Sequence, residues 1–517
     1  MKKISIITTL TLFILGTTSC EKYLDVNFDP SFPQVSQGFA ILPPMLAQMS
    51  RAEVFDGRFA GQYCQYWQSS GLGNVWDRHG YVAGSDAGGE MWRSHYYSIG
   101  KNVDLIIEDA TAKQQWDYMG VAKAIRAWGW QTTTDANGEM ILKQAWEPNR
   151  YIFDFDSQED VYKEVVRLGN ESLQDLARTD GAVSVTSLGR GDLVYRGDRS
   201  KWIKFVNAVL ARNAHHLTNK KGLYNPDAVI KFVDQSFASN ADNFNIPHAG
   251  LSTADGNFWG PLRNNMANFR QGDYLVKTMD GTIFTGSRDP RLAAMLTAST
   301  DGTFRGVFTT QGDANNVANN VRRVPSLWGV QQPVATAPTV GKFIFQDRVD
   351  HPLITFWELQ FIKAEAAFIK GDRAMAFAAY LNAINAHLDW TLTFVTDAAL
   401  RTQFTTERTA YLRSSAVAAN AAALTLSDIM MQKYISMFGH GNMETWVDMR
   451  RYNYSTDVYR NFLVPTSLNI FPDNNGKLAY RMRPRFNSEY VWNRASLATF
   501  GGLDADFHTS PVWFVKP

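Results

Sequence analysis

The segment ELQFIKAEAAFIKGDRAMAFAAYLNAI, residues 358–384, limits the fold more than any other part of the chain. Its apolar residues keep a helical period on both sides of Gly371-Asp372, which predicts two helices joined by a tight turn. Measured from that glycine, small and large residues occur at tetratricopeptide-repeat offsets, at Ala364, Ala376, Tyr380 and Ala383. Small residues there let two antiparallel helices approach closely, so the segment predicts a repeat-like helix pair.

Helical periodicity continues through most of the chain. Residues 95–132 and 158–217 show weaker versions of the pair without a clean repeat period, so ordinary helical hairpins remain an alternative there. Ser157, followed by Asp160, predicts a helix start, and another start is expected near Asp198 or Ser200. The expected fold is mostly α, with tetratricopeptide-like helix pairs that form a curved scaffold.

Glycine, asparagine, proline and threonine become frequent between about residues 240 and 350. This composition predicts a large loop-rich region inserted into the helical scaffold, and we expect it to face a ligand. The chain does not divide cleanly on either side of it. We therefore expect residues 37–517 to form one domain.

The N-terminus has the layout of a secretory signal peptide, predicted over residues 1–19. Lys2 and Lys3 precede an apolar run over residues 4–15, and small residues follow it up to Cys20. The run is too short to span a membrane, which takes about 20 apolar residues. Residues 20–36, which contain two prolines, read as an extended tether.

Cys20 is one of two cysteines in the chain. Its place after a signal-like segment predicts the acylation site of a bacterial lipoprotein, although Thr17 stands where leucine is usual. A disulfide to Cys64, the ordinary role of cysteine in an exported protein, and an unmodified thiol remain alternatives. If Cys20 is acylated, Cys64 is a lone buried thiol.

Aromatic residues are abundant, at 13% of the chain, whereas the formal net charge of +1 predicts no electrostatic attraction to nucleic acid. Most aromatics should be core, including Trp67, Trp92, Trp202, Trp357 and Trp446, which lie in helical patterns. The remaining ones could form a binding surface, because the flat C–H faces of sugars stack on aromatic rings.

The glycine-rich loop GLGNVWDRHGYVAG is the first candidate for such a surface. It places side chains that stack on sugars or bond their hydroxyls within eight residues: Asn74, Trp76, Asp77, Arg78 and Tyr81. Trp76 could be an exposed platform for a ligand or could anchor the loop. Trp259 and Trp328, also beside glycines, are the next candidates.

Catalytic and metal-binding signatures are missing from the sequence. None of the nine histidines precedes a glutamate, so no HExxH zinc motif occurs, and no G-x-S-x-G elbow is found. The segment PDNNGK, residues 472–477, lacks the closing glutamate of a calcium loop and reads as a turn. We expect no catalytic residues, metal or cofactor, although a pair of glycosidase carboxylates would leave no sequence signature.

Five segments, in order, resemble the SusD/RagB family of nutrient-binding lipoproteins, in the branch associated with starch binding. They are CEKYLDVNFDP at the mature start, KWIKFVNAVLARNAHHL, SRDPRLAAML, PLITFWELQFIKAEAAFIKGD and IMMQKYISMFGHGNMETWVDMRR. The ending RMRPRFNSEYVWN is also similar, with Arg485-Phe486 where Tyr-Pro is usual. The arginines Arg450 and Arg451 in the fifth segment are expected to anchor helices rather than bind cargo.

The resemblance implies a lipid-anchored protein of the outer membrane that faces the cell exterior and binds a nutrient without cleaving it. It implies a SusC-like TonB-dependent transporter as partner and an oligosaccharide, or else a peptide, as cargo. A surface enzyme that degrades glycosides and a structural transporter lid that binds no ligand are the alternative functions.

Overall fold

The computed structural model describes residues 37–330, 340–466 and 469–517. The predicted signal peptide, Cys20 and the tether over residues 20–36 lie outside the described residues, so these three assignments stay predictions. In the part of the chain that is described, no helix combines the length and apolar character needed to cross a membrane.

Helices dominate the regular structure, as the sequence predicts. The α-helices are α1 (Gly38–Tyr63), α2 (Glu90–Arg93), α3 (Lys101–Lys113), α4 (Trp116–Asn137), α5 (Gln158–Ala177), α6 (Val185–Gly189), α7 (Arg199–His215), α8 (Pro226–Asp234), α9 (Asp273–Met279), α10 (Leu292–Met295), α11 (Phe356–Lys370), α12 (Arg373–Leu392), α13 (Ala398–Tyr411), α14 (Leu426–Ser436), α15 (Asn442–Arg451) and α16 (Arg494–Ala498). Two π-helical segments, Ser94–Gly100 and Phe486–Tyr490, interrupt this pattern.

Four short strands form two antiparallel pairs. β1 (Trp67–Ser69) pairs with β3 (Phe269–Gln271), and β2 (Phe244–His248) pairs with β4 (Val349–Ile354). Each pair joins chain segments far apart in sequence, so the strands fasten the loop-rich region to the helices around it.

The predicted helix pair is confirmed by α11 and α12. Gly371 adopts a φ of +91°, a left-handed conformation that ends α11 and favours glycine. Asp372 then begins α12, where its side chain accepts a hydrogen bond from the Met375 N–H. Ala364, Ala376, Ala383 and Tyr380 are fully buried, so the small side chains lie at the contact between the two helices.

The other helix starts are confirmed as well. Ser157 caps α5 by accepting the Asp160 N–H, and Asp198 caps α7 by accepting the N–H groups of Ser200 and Lys201. α5 packs between α4 and α7, while α11 packs against α8 and α12. Successive packed helices therefore form the scaffold.

The region between residues 240 and 350 consists mostly of loops, as predicted, but it is well packed. Trp259, Trp328 and Phe345 belong to the same buried apolar cluster as residues of α1 and α11. Its large aromatic side chains therefore hold it against the scaffold.

A buried ionic network joins α11, α14 and α15. Arg451 bonds Glu365 at 2.7 Å and Asp448 at 2.6 Å, and Lys433 lies 2.7 Å from Asp448. These four side chains are buried. Arg451 therefore anchors helices, as expected from the sequence.

Arg450 makes the same kind of internal contact. Its Nη1 donates to the Asp135 carbonyl at 2.7 Å, and its guanidinium stacks 3.9 Å from the Trp446 ring centroid. These contacts fit the expectation that neither arginine faces cargo.

Cys64 is fully buried and forms no disulfide with any residue that the structure describes. Burial raises the pKa of its thiol.

Candidate functional site

The loop that carries the first site prediction is folded against α1. Asn74 organises it, because its Oδ1 accepts the backbone N–H of Trp76 at 2.8 Å. Trp76 stacks on Phe59 of α1, with ring centroids 4.2 Å apart, and meets Tyr81 edge-on at 4.7 Å. Only 5% of Trp76 is exposed, which favours the role of loop anchor over that of an exposed platform; its role in ligand binding stays a prediction.

The charged members of the loop are held by internal contacts. Asp77 is buried, and its Oδ2 accepts the Thr310 N–H at 3.2 Å. Arg78 donates to the backbone carbonyls of Asn469 and Ile470, at 2.9 and 3.1 Å. These side chains fasten the loop to two distant segments of the chain.

The two other predicted tryptophans lie together in the core. The Trp259 indole N–H donates to the Val54 carbonyl at 2.9 Å, and the Trp328 indole N–H donates to the Trp259 carbonyl at 2.7 Å. Trp259 is fully buried and Trp328 is 2% exposed. Their ligand-binding role, like that of the loop residues 74–81, stays a prediction that this burial does not favour.

An open, aromatic pocket of about 540 Å³ lies elsewhere, between α2 and the C-terminal part of the chain. We call it the aromatic pocket. Its residues are Trp92, Arg93, Tyr96, Tyr97, Ile141, Ala145, Trp146, Phe153, Arg485, Ser488 and Glu489. Its volume lies in the range of about 300–1,000 Å³ that is usual for small-molecule sites.

Both π-helical segments of the described chain line this pocket. Ser94–Gly100 supplies Tyr96 and Tyr97, and Phe486–Tyr490 supplies Ser488 and Glu489 from the other side. A π-helical turn has one more residue than an α-helical turn, widens the helix and is frequent at functional sites. Two such turns facing one pocket therefore mark it as a candidate binding site.

Trp146 has a strained backbone in the pocket wall. Its φ is +61°, which is rare for a bulky residue. Its indole N–H donates to the Tyr96 carbonyl at 2.8 Å, and the Arg126 guanidinium lies 4.5 Å from the ring centroid. Strain of this kind persists only where the surroundings enforce it, and it clusters at ligand sites.

Gly100 allows the ring of Trp146 to lie where it does. A Cβ atom at this position would come within 2.1 Å of Trp146 Cζ2 and 2.4 Å of the His95 carbonyl oxygen. No larger residue fits without moving the ring. The last residue of the first π-helical segment is thus part of the pocket's construction.

Polar groups in the pocket are few. Glu489 Oε1 accepts the Trp92 indole N–H at 3.3 Å, Oε2 accepts from Asn493 at 3.0 Å, and burial raises the pKa of this carboxyl. The arginines are already paired, Arg485 with Asp86 at 2.7 Å and Arg93 with Glu90 at 3.2 Å. The pocket therefore offers aromatic faces and hydrogen-bonding groups without an unpaired cation.

Exposed aromatic residues occur in the pocket wall and in chain segments close to it in sequence. Tyr97, Tyr151 and Trp492 are 73%, 81% and 74% exposed. Two hydrogen bonds between the Asn493 side chain and the Phe153 backbone, at 3.0 and 2.9 Å, tie the chain near Tyr151 to the chain near Trp492. Exposed apolar groups that gather at one place indicate an interaction surface.

The sequence prediction missed this pocket because its walls come from segments as distant as residues 92–97 and 485–489. Trp92 was correctly predicted to be largely buried, and the segment with Tyr96 and Tyr97 was predicted only as a helix. The one available signal was local aromatic density in HYY, residues 95–97, and in EYVW, residues 489–492.

Comparisons with known proteins agree with this fold. The model of a SusD-like family, described as starch-binding and associating with the outer membrane, matches residues 31–480. No curated protein gives a significant match.

Solved structures of this family share the fold along nearly the whole chain. A SusD/RagB family protein from Bacteroides thetaiotaomicron is 21% identical with a TM-score of 0.65, and the match covers 93% of this chain and 99% of that one. A SusD homologue from Bacteroides fragilis is 19% identical, with a TM-score of 0.68 and the same coverage.

A chitin-binding SusD homologue from Flavobacterium johnsoniae is 20% identical with a TM-score of 0.67, and covers 92% of this chain and 98% of that one. At these identities the structures establish a common fold only. The family model, which spans most of the sequence, settles membership: the chain belongs to the SusD-like family of starch-binding proteins that associate with the outer membrane.

Proposed function

We propose that this protein captures an oligosaccharide in the aromatic pocket at the cell surface and delivers it to a SusC-like TonB-dependent transporter. The observation that carries the proposal is the pocket itself, an open volume of about 540 Å³ walled by Trp92, Tyr96, Tyr97, Trp146 and Phe153. Sugar rings present apolar C–H faces to such side chains while their hydroxyls bond nearby polar groups.

The polar groups of the pocket favour a neutral glycan. Both arginines are paired with carboxylates, so no free cation is available for a uronate or a sulfate. Arg485 and Glu489 can still exchange hydrogen bonds with hydroxyl or acetamido groups. The chitin-binding homologue from Flavobacterium johnsoniae supports glycans with acetamido groups as first candidates.

Binding is favoured over hydrolysis because the pocket holds too few carboxylates. Glycosidases place two carboxyl groups about 5–10 Å apart across the scissile bond. Among the described residues that line the aromatic pocket, Glu489 is the single carboxylate. A retained oligosaccharide with no release of reducing ends is the expected behaviour.

Isothermal titration calorimetry with chito-, malto- and xylo-oligosaccharides tests the proposal. We expect at least one glycan to bind, and Tyr97→Ala and Phe153→Ala, both in the pocket wall, each to weaken it about tenfold, which corresponds to about 1.4 kcal/mol. Leu251→Ala is the matched control, because Leu251 is 84% exposed and does not line the pocket.

Three outcomes would count against parts of the proposal. Unchanged affinity in both aromatic variants would place the ligand elsewhere. Silence toward every glycan, combined with co-purification of a barrel transporter, would favour the structural lid. Peptides that bind where glycans fail would change the cargo.

The anchor has its own test. We propose that Cys20 is acylated and that its acyl chains hold the mature protein on the outer membrane. More than one acyl chain is needed for stable anchoring. Mass spectrometry of the native N-terminal peptide should show a diacylglyceryl mass on Cys20. An unmodified peptide from protein free in the periplasm would contradict it.

A further inference from the structure

A second pocket, separate from the aromatic pocket, lies between the segment around α10 and the start of α13. Its volume is about 160 Å³. We call it the Lys342 pocket. Apolar residues, among them Ala293, Phe343, Val395 and Leu400, form part of its walls, and polar side chains form the rest. An engineered apolar cavity of about 150 Å³ holds a benzene molecule, so this space suits a ligand of that size.

Lys342 is the one basic side chain that lines this space. Its Nζ donates to the Leu296 carbonyl at 2.6 Å, and among the described residues no carboxylate forms an ion pair with it. Burial lowers the pKa of Lys342 to about 8. Lys342 is half-buried, and an anion beside a partly desolvated ammonium that has one neutral acceptor would offset the cost of its desolvation.

The backbone beside Lys342 is strained. Phe343 has a φ of +52°, an uncommon value for an aromatic residue. Its ring is fixed by Phe394, at a centroid distance of 4.8 Å, and by Trp390, at 5.2 Å. Packing thus enforces the strained conformation of Phe343, and its ring and the Lys342 ammonium both line the pocket. Strained residues of this kind cluster where a protein holds a ligand.

We propose that the Lys342 pocket binds a small monocarboxylate with a compact apolar body. The carboxylate would accept hydrogen bonds from the Lys342 ammonium, which has two further N–H groups beyond the one given to Leu296. The apolar body would lie against Phe343, Val395 and Leu400. This site is independent of the aromatic pocket and of the proposed capture of glycans.

The other charged residues of the pocket limit the ligand to a single negative charge. Asp397 and Glu407 also line it, and both are partly engaged, Asp397 with the Leu400 N–H at 2.8 Å and Glu407 with the Gln403 side chain at 2.8 Å. The two carboxylates repel every negative charge in the pocket, so the ligand carboxylate must contact Lys342 directly, and a dianion is repelled more strongly than a monoanion. Benzoate should therefore bind better than the dianion phthalate.

Ligand-observed NMR and calorimetry with benzoate test the inference on the mature protein. We expect saturable benzoate binding, at least tenfold weaker binding of neutral benzamide, and at least tenfold weaker benzoate binding to Lys342→Met. Lys201→Met is the matched control, because Lys201 also donates to one backbone carbonyl, that of Ala241 at 2.8 Å, but lies on the surface.

Leu400→Trp keeps Lys342 and fills the pocket, so it serves if Lys342→Met does not fold. We expect it to abolish benzoate binding. The inference is overturned if benzoate does not bind saturably, if benzamide binds as well as benzoate, or if either pocket variant binds benzoate like the wild type. An unchanged benzoate affinity in the presence of a saturating oligosaccharide would confirm that the two sites are separate, and mutual exclusion would overturn that part.

Discussion

Glu365 offers a strong test of how the buried ionic network stabilises the fold. Its carboxylate accepts from Arg451 Nη1 at 2.7 Å and Nη2 at 3.1 Å and from the Tyr452 hydroxyl at 2.5 Å, and His215 Nε2 lies 2.9 Å away. Glu365→Gln keeps the shape and removes the charge. Removing one partner of a buried ion pair costs about 3–5 kcal/mol.

We expect the lower end of that range for Glu365→Gln, about 3 kcal/mol, because Arg451 keeps its bond to Asp448 at 2.6 Å. Urea unfolding of Glu365→Gln, Arg451→Met and the double variant measures this. The double variant should lose less than the sum of the two single losses, by about 2 kcal/mol, since both remove the same interaction.

The same experiment has a control and a pH dependence. Glu159→Gln breaks an exposed pair with Lys163, 2.7 Å apart, and should not shift the unfolding midpoint. Burial raises the pKa of the Glu365 carboxyl. The neighbouring Arg451 and His215 outweigh burial and hold this pKa well below its ordinary value. The stabilisation is therefore present above the unfolded-state pKa, about 4.3, and is lost as pH falls through the folded-state pKa.

Two results would refute this reasoning. One is a loss below about 1 kcal/mol for Glu365→Gln at neutral pH, which is what a solvated pair gives. The other is strict additivity of the two single variants, which would mean that Glu365 and Arg451 do not act together.

Three further predictions concern other parts of the molecule. Gly100→Ala should force the ring of Trp146 to move, cost about 1–3 kcal/mol of unfolding free energy and weaken glycan binding, as measured by urea unfolding and calorimetry. Burial lowers the pKa of His216, but Glu444, 2.9 Å away, outweighs burial and raises this pKa to about 9. The stabilisation from this pair is therefore complete below about pH 6.5 and is lost as the pH rises through 9. His216→Gln should flatten thermal stability between those pH values. The Cys64 thiol, buried and with a raised pKa, should react with a thiol reagent only after denaturation.

Local signals in the sequence predict the scaffold well. Ser157 and Asp198 begin helices because their side chains accept the unpaired N–H groups of the first turn, a property that depends on a few neighbouring residues. Gly371 ends α11 because the backbone there needs a positive φ. Such features are local, so the sequence shows them directly.

The ends of α1 were harder to predict. The sequence pattern around Trp67 is helical, whereas the helix spans Gly38–Tyr63 and Trp67 lies in β1. Pro43 and Pro44 lie inside the helix near its start, where proline is a misleading boundary signal. Pairing of β1 with β3, about 200 residues later, draws Trp67 out of the helical pattern.

The exposure of individual aromatics depends on distant contacts and could not be predicted. Trp76 lies on a glycine-rich loop, yet it is buried because Phe59 and Tyr63 of α1 receive its ring. Trp492 lies near the C-terminus without a special sequence signal, yet it is exposed. A loop tryptophan is a platform only where the rest of the fold leaves its face free.

A crystal structure with the best glycan of the titration panel tests the central claim most directly. The account predicts a sugar ring against the exposed face of Tyr97 and the strained Trp146, with hydroxyl or acetamido groups within hydrogen-bond distance of Glu489 or Arg485. A glycan seated at residues 74–81, or anywhere else with this pocket unoccupied, would contradict it.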